Sequence, residues 1–331
     1  MSVRLGSLGE FGFLRRLWSA LDPPGAGVIL GSGDDAAVLA PAEGVYLLVS
    51  TDAVVEGRHF RREWLTSAQI GERAGRAALS DLAAMGGLPR ALLASVAFPP
   101  DLSAEEAEQL LWGVDRAAQT GGIRLVGGDL VASPGPLFLD VVAVGETPHP
   151  WTRSGAHPGE VLLVSGELGA SAAALHLLQA GTPLDRLPPP LAERFLRPSP
   201  AFDLVRALQP LKAISAAIDL SDGLLADLEH VAERSGVGLS LRAASVPRAP
   251  AAEPVWAAAG EDPLARALTS GEEYELALTV PADRLAEVLE AAASAGARVL
   301  TVVGEVGEGQ GVTVEGGPPA ESLRGWDHFR G

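Results

Sequence analysis

Seven aspartates fall in five short islands spread over about 190 positions of the chain. The islands are Gly31-Ser32-Gly33-Asp34-Asp35, Ser50-Thr51-Asp52, Leu79-Ser80-Asp81-Leu82, Gly127-Gly128-Asp129 and Asp219-Leu220-Ser221-Asp222-Gly223. Nearly every one reads as a strand end or a helix end, and their Gly or Ser neighbours let backbone approach a ligand closely. Clustered carboxylates repel one another unless cations lie between them. Such hard oxygen ligands suit Mg²⁺, which keeps several waters and is shared with substrate phosphates. Islands this dispersed must converge in space, so the site is built by the fold.

Strand-like and helix-like segments alternate between the islands. Val45 to Ser50 is an apolar run ending at Asp52, and Ala91 to Phe98 and Leu137 to Val144 also read as strands. Thr66 to Gln69 and Ser103 to Glu106 have capping-box spacing. They open helices that stop at Gly86-Gly87 and Gly121-Gly122. Ile123 to Val126 reads as a strand delivering Gly127-Gly128-Asp129. Pro148, Pro150 and Pro158 then punctuate the chain, which divides it into 1–147 and 148–331. The second part is expected to hold strands at Val161 to Ser165, Ala213 to Ile218, Tyr274 to Val280 and Arg298 to Val306. Helices are expected at Leu168 to Ala180, from Leu224 to Gly236, and at Asp283 to Ala295. Thr182 to Pro190 and Ala249 to Pro263 read as loops, and the tail after Gly307 as glycine-rich.

Asp81 carries the sharpest local signal. At about 100° per residue it shares a stripe with Ile70, Ala74, Ala77 and Met85. A buried carboxylate must be protonated, paired or bound to metal. Arg73 and Arg76 are the candidate partners, and a ligand role has equal standing. Ser221-Asp222-Gly223 opens a helix, where Ser and Asp serve most often as N-caps. Asp219, at the end of an apolar strand, has no such duty, and a helix N-terminus also favours phosphate. Taken singly, Gly127-Gly128-Asp129, His59, Arg153, Glu272-Glu273 and Trp326 read as a turn, a structural histidine, an interface residue, a solvated turn and a packing anchor.

Composition narrows the function. The chain of 331 residues is 47% hydrophobic, enough for two domain cores. It has no cysteine, which excludes disulfides, zinc–thiolate sites and thiol catalysis. A formal charge of −17 argues against nucleic acid or an anionic membrane as partner. Met1 to Gly12 lacks an apolar signal core, and no run approaches the roughly 18 apolar residues of a membrane helix, so a cytoplasmic protein is expected. There is no phosphate-binding G-x-x-x-x-G-K-[S/T] loop, and the single lysine is Lys212. If the chain handles ATP, metals rather than a loop lysine must hold the phosphates.

Nine segments together resemble the thiamine-monophosphate kinase family. They are GSGDDAAVL (31–39), STDAVVEGRHF (50–60), ALSDLAAMGGLP (78–89), LVGGD (125–129), TRSGAHPGE (152–160), LRPSP (196–200), AIDLSDGLLADL (217–228), SGEEYEL (270–276) and GWDHF (325–329). The aspartate islands are shared with the wider superfamily of aminoimidazole ribonucleotide synthetase and selenophosphate synthetase. The STDxxVEGxHF, SGExYEL and closing GWDHF motifs are peculiar to the kinase. The chain departs from the family at Leu130, where Thr is usual, at Glu273, where Asp is usual, at Ala201, and at Thr120, which lacks an aromatic neighbour.

The resemblance implies two α/β (α+β) domains. The N-terminal one would contribute strands to a barrel spanning a homodimer, and the C-terminal one would be a layered α+β unit. It implies ATP as co-substrate, several Mg²⁺ ions, and thiamine monophosphate as acceptor, phosphorylated to thiamine diphosphate. It assigns Asp35, Ser50, Thr51, Asp52, Asp81, Asp129, Asp219 and Asp222 to metal. Of these, Asp52, Asp129, Asp219 and Asp222 would carry catalysis. It assigns Gly128, Asp129, Arg153 and Ser221 to ATP, and His59, Glu272 and Trp326 to the acceptor. The rival readings are another ATP-using enzyme of the superfamily and a non-catalytic nucleotide-binding protein. The missing cysteine and the closing GWDHF oppose the first, and the intact aspartate set opposes the second.

Overall fold

Two six-stranded sheets lie on either side of one long helix in the computed structural model, which describes residues 28–30, 34–40 and 44–317. Trp326 and Gly31 to Gly33 lie outside the described residues.

The first sheet holds β1 (Val28–Leu30), β2 (Ala37–Leu39), β3 (Tyr46–Val55), β4 (Leu88–Phe98), β5 (Leu125–Ala132) and β6 (Phe138–Thr147). Their order is β1-β2-β3-β6-β4-β5. Pairing is antiparallel except between β4 and β5, which run parallel. Two helices cover one face, α1 (Ser67–Ala84) and α2 (Ala104–Thr120). Both begin with the expected capping boxes, Thr66 with Gln69 and Ser103 with Glu106. Among the described residues, no helix covers the other face. Val126, Leu130 and Val131 of the edge strand β5 are 63%, 58% and 54% exposed. An exposed apolar edge is what proteins ordinarily cover or blunt.

The second sheet has the order β12-β9-β11-β7-β10-β8. It comprises β7 (Val161–Ser165), β8 (Ala216–Asp219), β9 (Gly238–Arg242), β10 (Leu276–Val280), β11 (Leu300–Gly307) and β12 (Gly311–Glu315). Its helices are α3 (Ala170–Gln179), α4 (Pro189–Leu196), α5 (Phe202–Leu208), α6 (Leu224–Ser235), α7 (Glu253–Ala259), α8 (Pro263–Thr269) and α9 (Leu285–Ser294). Successive residues of β7 point to opposite faces, as strand geometry requires. Leu163 joins a core that runs on through α1 into the first domain. Leu162 and Val164 join a separate core under α6. The domain is therefore layered, helices on both sides of a mixed sheet. The continuous core seats α1, and with it Ser80 and Asp81, between the two sheets.

Four segments differ from the sequence expectation. Ala249 to Pro263 is not loop throughout, because Pro254 and Pro263 stand in the first turns of α7 and α8, where the missing N–H costs nothing. Thr182 to Pro190 contains a 3₁₀ turn, and Pro189 starts α4. The glycine-rich tail includes β12, whose Val312, Thr313 and Val314 pair in parallel with β9. Gly127-Gly128-Asp129 lies inside β5 rather than beyond its end.

Candidate active site

Three carboxylates meet where α1, β8 and the loop between β1 and β2 come together. Oxygen atoms of Asp35, Asp81 and Asp219 lie within 4.8 Å of one another. Asp219 is the last residue of β8, and Ser80 Oγ donates to its Oδ2 at 2.6 Å. Ser50 Oγ on β3 donates to Asp81 Oδ2. The helical phase of Asp81 is thus explained by a hydroxyl and two carboxylates, not by an arginine. Arg73 and Arg76 pair instead with Glu272 and Glu72. Arg153, in the loop between the domains, pairs with Asp35, and its backbone N–H donates to Asp34 Oδ2 at 3.0 Å.

The electrostatics follow from burying like charges together. Burial, then the charge of Asp35, raises Asp219 from its ordinary 3.8 to about 8. Burial and the charges of Asp219, Asp35 and Asp52 push Asp81 well up. Asp34 rises to about 7, through burial and Asp35 against the pull of Arg153. Burial opposes the Arg153 charge, but Asp35 and Asp34 more than restore it, so the guanidinium stays ionised. Asp35 Oδ2 is buried with no hydrogen-bond partner. An orphan carboxylate oxygen in a nest of raised carboxyls and hydroxyls is a donor set that fits a hard divalent cation.

Loop Asp219 to Gly223 enters α6 differently from the sequence expectation. Asp222 is not the N-cap residue of the helix. Gly223 is the N-cap residue, with no side-chain bond of its own. Asp227, in the first turn, accepts from the Asp222 N–H at 3.2 Å and the Gly223 N–H at 3.1 Å. Capping is thus supported from inside the helix, by Asp227. Gly223 has φ of 116°, and a Cβ there would sit 2.8 Å from the backbone of Thr269, so only glycine fits. Asp227 was not foreseen, because the residue expected at the N-cap stands two places before the helix.

The other proposed ligands divide between the faces of the first sheet. Ser50 and Asp52 alternate with Thr51 along β3, so they face α1 while Thr51 faces away. Thr51 Oγ1 donates to Asp140 Oδ1 at 2.5 Å on that outer face. Ser95 is in register with both Asp140 and Asp129, and paired residues share a face. Asp129 and Thr51 therefore look out from the open face and are not gathered with Asp35, Asp81 and Asp219. Gly128 has φ of 154°, and a Cβ on it would meet the Ala94 carbonyl oxygen at 1.8 Å, so glycine is obligatory there.

A second, less polar cleft adjoins the acidic centre. His59, Phe60, Ile70, Arg73, Glu272 and Tyr274 are among the residues that line it. His59 Nδ1 accepts the Val55 N–H at 3.0 Å, which orients its ring. Arg73, buried, lies 2.7 Å from Glu272 and stacks 4.3 Å from the Phe195 ring centroid. Glu272 and Tyr274 both have positive φ, 60° and 52°, an uncommon conformation for such residues. The loop holding them is pinned to the aspartate loop. Glu272 N–H donates to Ser221 O, Glu273 and Tyr274 N–H donate to Leu220 O, and Leu220 N–H donates to Glu275 O. Burial, followed by Glu272 and Asp52, raises the Tyr274 phenol well above 10.0, so it remains a donor. Arg73 and Tyr274 were missed as cleft residues, although the helical stripe through Ile70, Ala74 and Ala77 runs beside Arg73.

Both halves of the chain match known families. Residues 33–147 match the N-terminal domain of AIR synthase related proteins, and residues 157–317 match their C-terminal domain. Thiamine-monophosphate kinase of Aquifex aeolicus is 36% identical over 333 aligned residues, covering 99% of this chain and all of that one. Its Mycobacterium tuberculosis counterpart is 39% identical over 280 residues, 83% of this chain and 81% of that one. A solved structure, AaThiL complexed with AMPPCP and TMP, superimposes with a TM-score of 0.87 at 34% identity, over 99% of this chain and 100% of that one. The hydrogenase maturation protein HypE of E. coli is more distant, with a TM-score of 0.66 at 26% identity over 82% of each chain. The chain belongs to the AIR synthase related family and, within it, to the thiamine-monophosphate kinases.

Proposed function

We propose that this protein transfers the γ-phosphoryl group of ATP to the terminal phosphate of thiamine monophosphate, giving thiamine diphosphate and ADP. The observation that carries this reading is the convergence of Asp35, Asp81 and Asp219 beside the cleft of His59 and Glu272. In the step, an oxygen of the acceptor phosphate bonds to Pγ as the bond from Pγ to the β-phosphate oxygen breaks, and ADP leaves with those electrons. The acceptor is already an anion at neutral pH, so no strong base is required. Alignment and charge neutralisation do the work.

Mg²⁺ fits the donor set: Asp35, Asp81, Asp219 and Ser50 at the centre, with Asp52 on the same face of β3. Family likeness adds Asp222 and, from the open face of the first sheet and apart from this centre, Thr51 and Asp129. The ions would neutralise the phosphates and hold the two substrates in line. ATP is assigned to Gly128, Asp129, Arg153 and Ser221. The acceptor is assigned to His59, Glu272 and Trp326, since a carboxylate and an indole suit a thiazolium cation. The open apolar edge of β5 supports a homodimer through the first sheet.

The test is ADP release with and without thiamine monophosphate, with thiamine as the control acceptor. Release that depends on the monophosphate and on Mg²⁺, with diphosphate as product, is expected. ADP release indifferent to the acceptor would overturn the reading.

A further inference from the structure

Glu272 and Tyr274 enter the cleft, but the two glutamates that alternate with them turn inward. Glu275 is buried against Arg194 at 2.6 Å, Arg298 at 3.1 Å and Ser165 Oγ at 2.5 Å, a well-partnered carboxylate. Glu273 is fully buried and differently held. Its Oε1 accepts the Gly169 N–H at 2.9 Å and the Ser171 N–H at 3.1 Å, while its Oε2 has no partner. Gly169 is the N-cap of α3 and supplies no side-chain cap. Glu273, about a hundred residues away in sequence, thus serves as that helix's cap. Arg194 of α4 donates to the Glu273 carbonyl at 3.4 Å, and the Glu273 N–H is bound by Leu220 O.

The same residue therefore ties one short loop to a helix and to the aspartate loop, and its two neighbours hold positive φ. Such backbone persists only when its surroundings over-determine it. We infer that Glu273 is a positioning residue for the acceptor: by capping α3 it holds Glu272 and Tyr274 in the conformation that faces the cleft. This inference rests on the acceptor cleft assigned above. The carboxyl acts there through one oxygen that accepts two amides. Burial raises it from 4.5 to about 8 against the pull of Arg194 and the two amides, with Glu275 adding a smaller push upward. A glutamine, neutral at every pH and still carrying a carbonyl acceptor, is then its functional mimic, whereas a methionine fills the volume without accepting.

Full-length E273Q and E273M test this beside the wild type. E273M is expected to raise KM for thiamine monophosphate about tenfold while KM for ATP and kcat stay within about threefold. E273Q is expected to stay within about threefold in all three. Equal losses toward both substrates in E273M, or an unchanged acceptor KM in a folded E273M, would overturn the inference. Should E273M fail to fold, hydrogen exchange on the wild type decides. Added thiamine monophosphate should slow exchange in 168–172 together with 270–276, and a non-hydrolysable ATP analogue alone should not. No acceptor-dependent change in 168–172 would overturn it. Wild type that binds no thiamine monophosphate would overturn the acceptor reading itself, and this inference with it. Wild type that turns over while E273M is indistinguishable from it would overturn this inference alone.

Discussion

Burial and mutual repulsion raise Asp219 and Asp81, so a proton and a cation compete for the same oxygens. Asp81→Asn should leave the metal-free protein as stable as the wild type or more so, because it removes one member of a repelling set. The same variant should cut turnover by about 100-fold or more and lose the stabilisation that Mg²⁺ gives. Thermal melts with and without Mg²⁺, beside a turnover assay, check both. The pH dependence has a definite sign. Asp219 at about 8 in the fold against 3.8 ordinarily means that the native state binds the proton more tightly. Metal-free stability is then full below about pH 4 with respect to this group and falls as pH rises toward 8. Mg²⁺ competes with that proton, so the rise in Tm on adding Mg²⁺ should be larger at pH 8.5 than at pH 6. An equal or smaller rise at the higher pH would contradict the assignment. Arg73 makes a different residue-scale prediction. Its guanidinium pairs with Glu272 and stacks on Phe195, so Arg73→Met leaves a part-buried carboxylate alone. A loss of about 3 kcal/mol is expected in urea unfolding, the low end for a broken buried pair, since Glu272 can turn to solvent.

Single elements are set by one or two contacts. Asp227 substitutes for an N-cap by bonding Asp222 and Gly223 from inside α6. Asp227→Ala should cost about 1 kcal/mol of stability, the ordinary price of a lost cap, and should also lower turnover by loosening Asp222. Asp227→Asn keeps an acceptor oxygen and should do less harm on both counts. Chemical denaturation and steady-state kinetics of the pair separate capping from general damage. The edge strand β5 depends on Gly128, where the backbone of β4 leaves no room for a Cβ. This explains why Gly127-Gly128-Asp129 belongs to a strand although glycine pairs ordinarily mark turns. Close backbone approach, rather than a change of direction, is what the glycine supplies.

At the scale of the molecule, among the described residues α1 and α2 cover the first sheet on one face only, and β5 leaves Val126, Leu130 and Val131 exposed. An exposed apolar edge of this kind is one that a second copy could cover, which is the homodimer proposed above. Light scattering should report about twice the 34.0 kDa of one chain, and Val131→Lys should shift that mass toward the monomer. A monomeric wild type at micromolar concentration would contradict the dimer. The continuous core through α1 joins the domains, so one cooperative thermal transition is expected rather than two.

Local chemistry was legible in the chain by itself. The capping boxes at Thr66 and Ser103 were readable because a cap and its partner stand three residues apart. The stripe that sets Asp81 among apolar residues was readable because helical periodicity is a local property. The kinase-specific motifs named the family because they are contiguous. What tertiary structure alone decided are the partnerships made across sequence distance. Asp81 meets Ser50, Asp35 and Asp219 rather than Arg73. Glu273 caps a helix that begins a hundred positions earlier. Asp129 and Thr51 turn to the open face because register, not composition, fixes which side a strand residue takes. The proline-rich stretch before Pro263 folds as helix because a proline in a first turn loses no bond, which no count of prolines reveals.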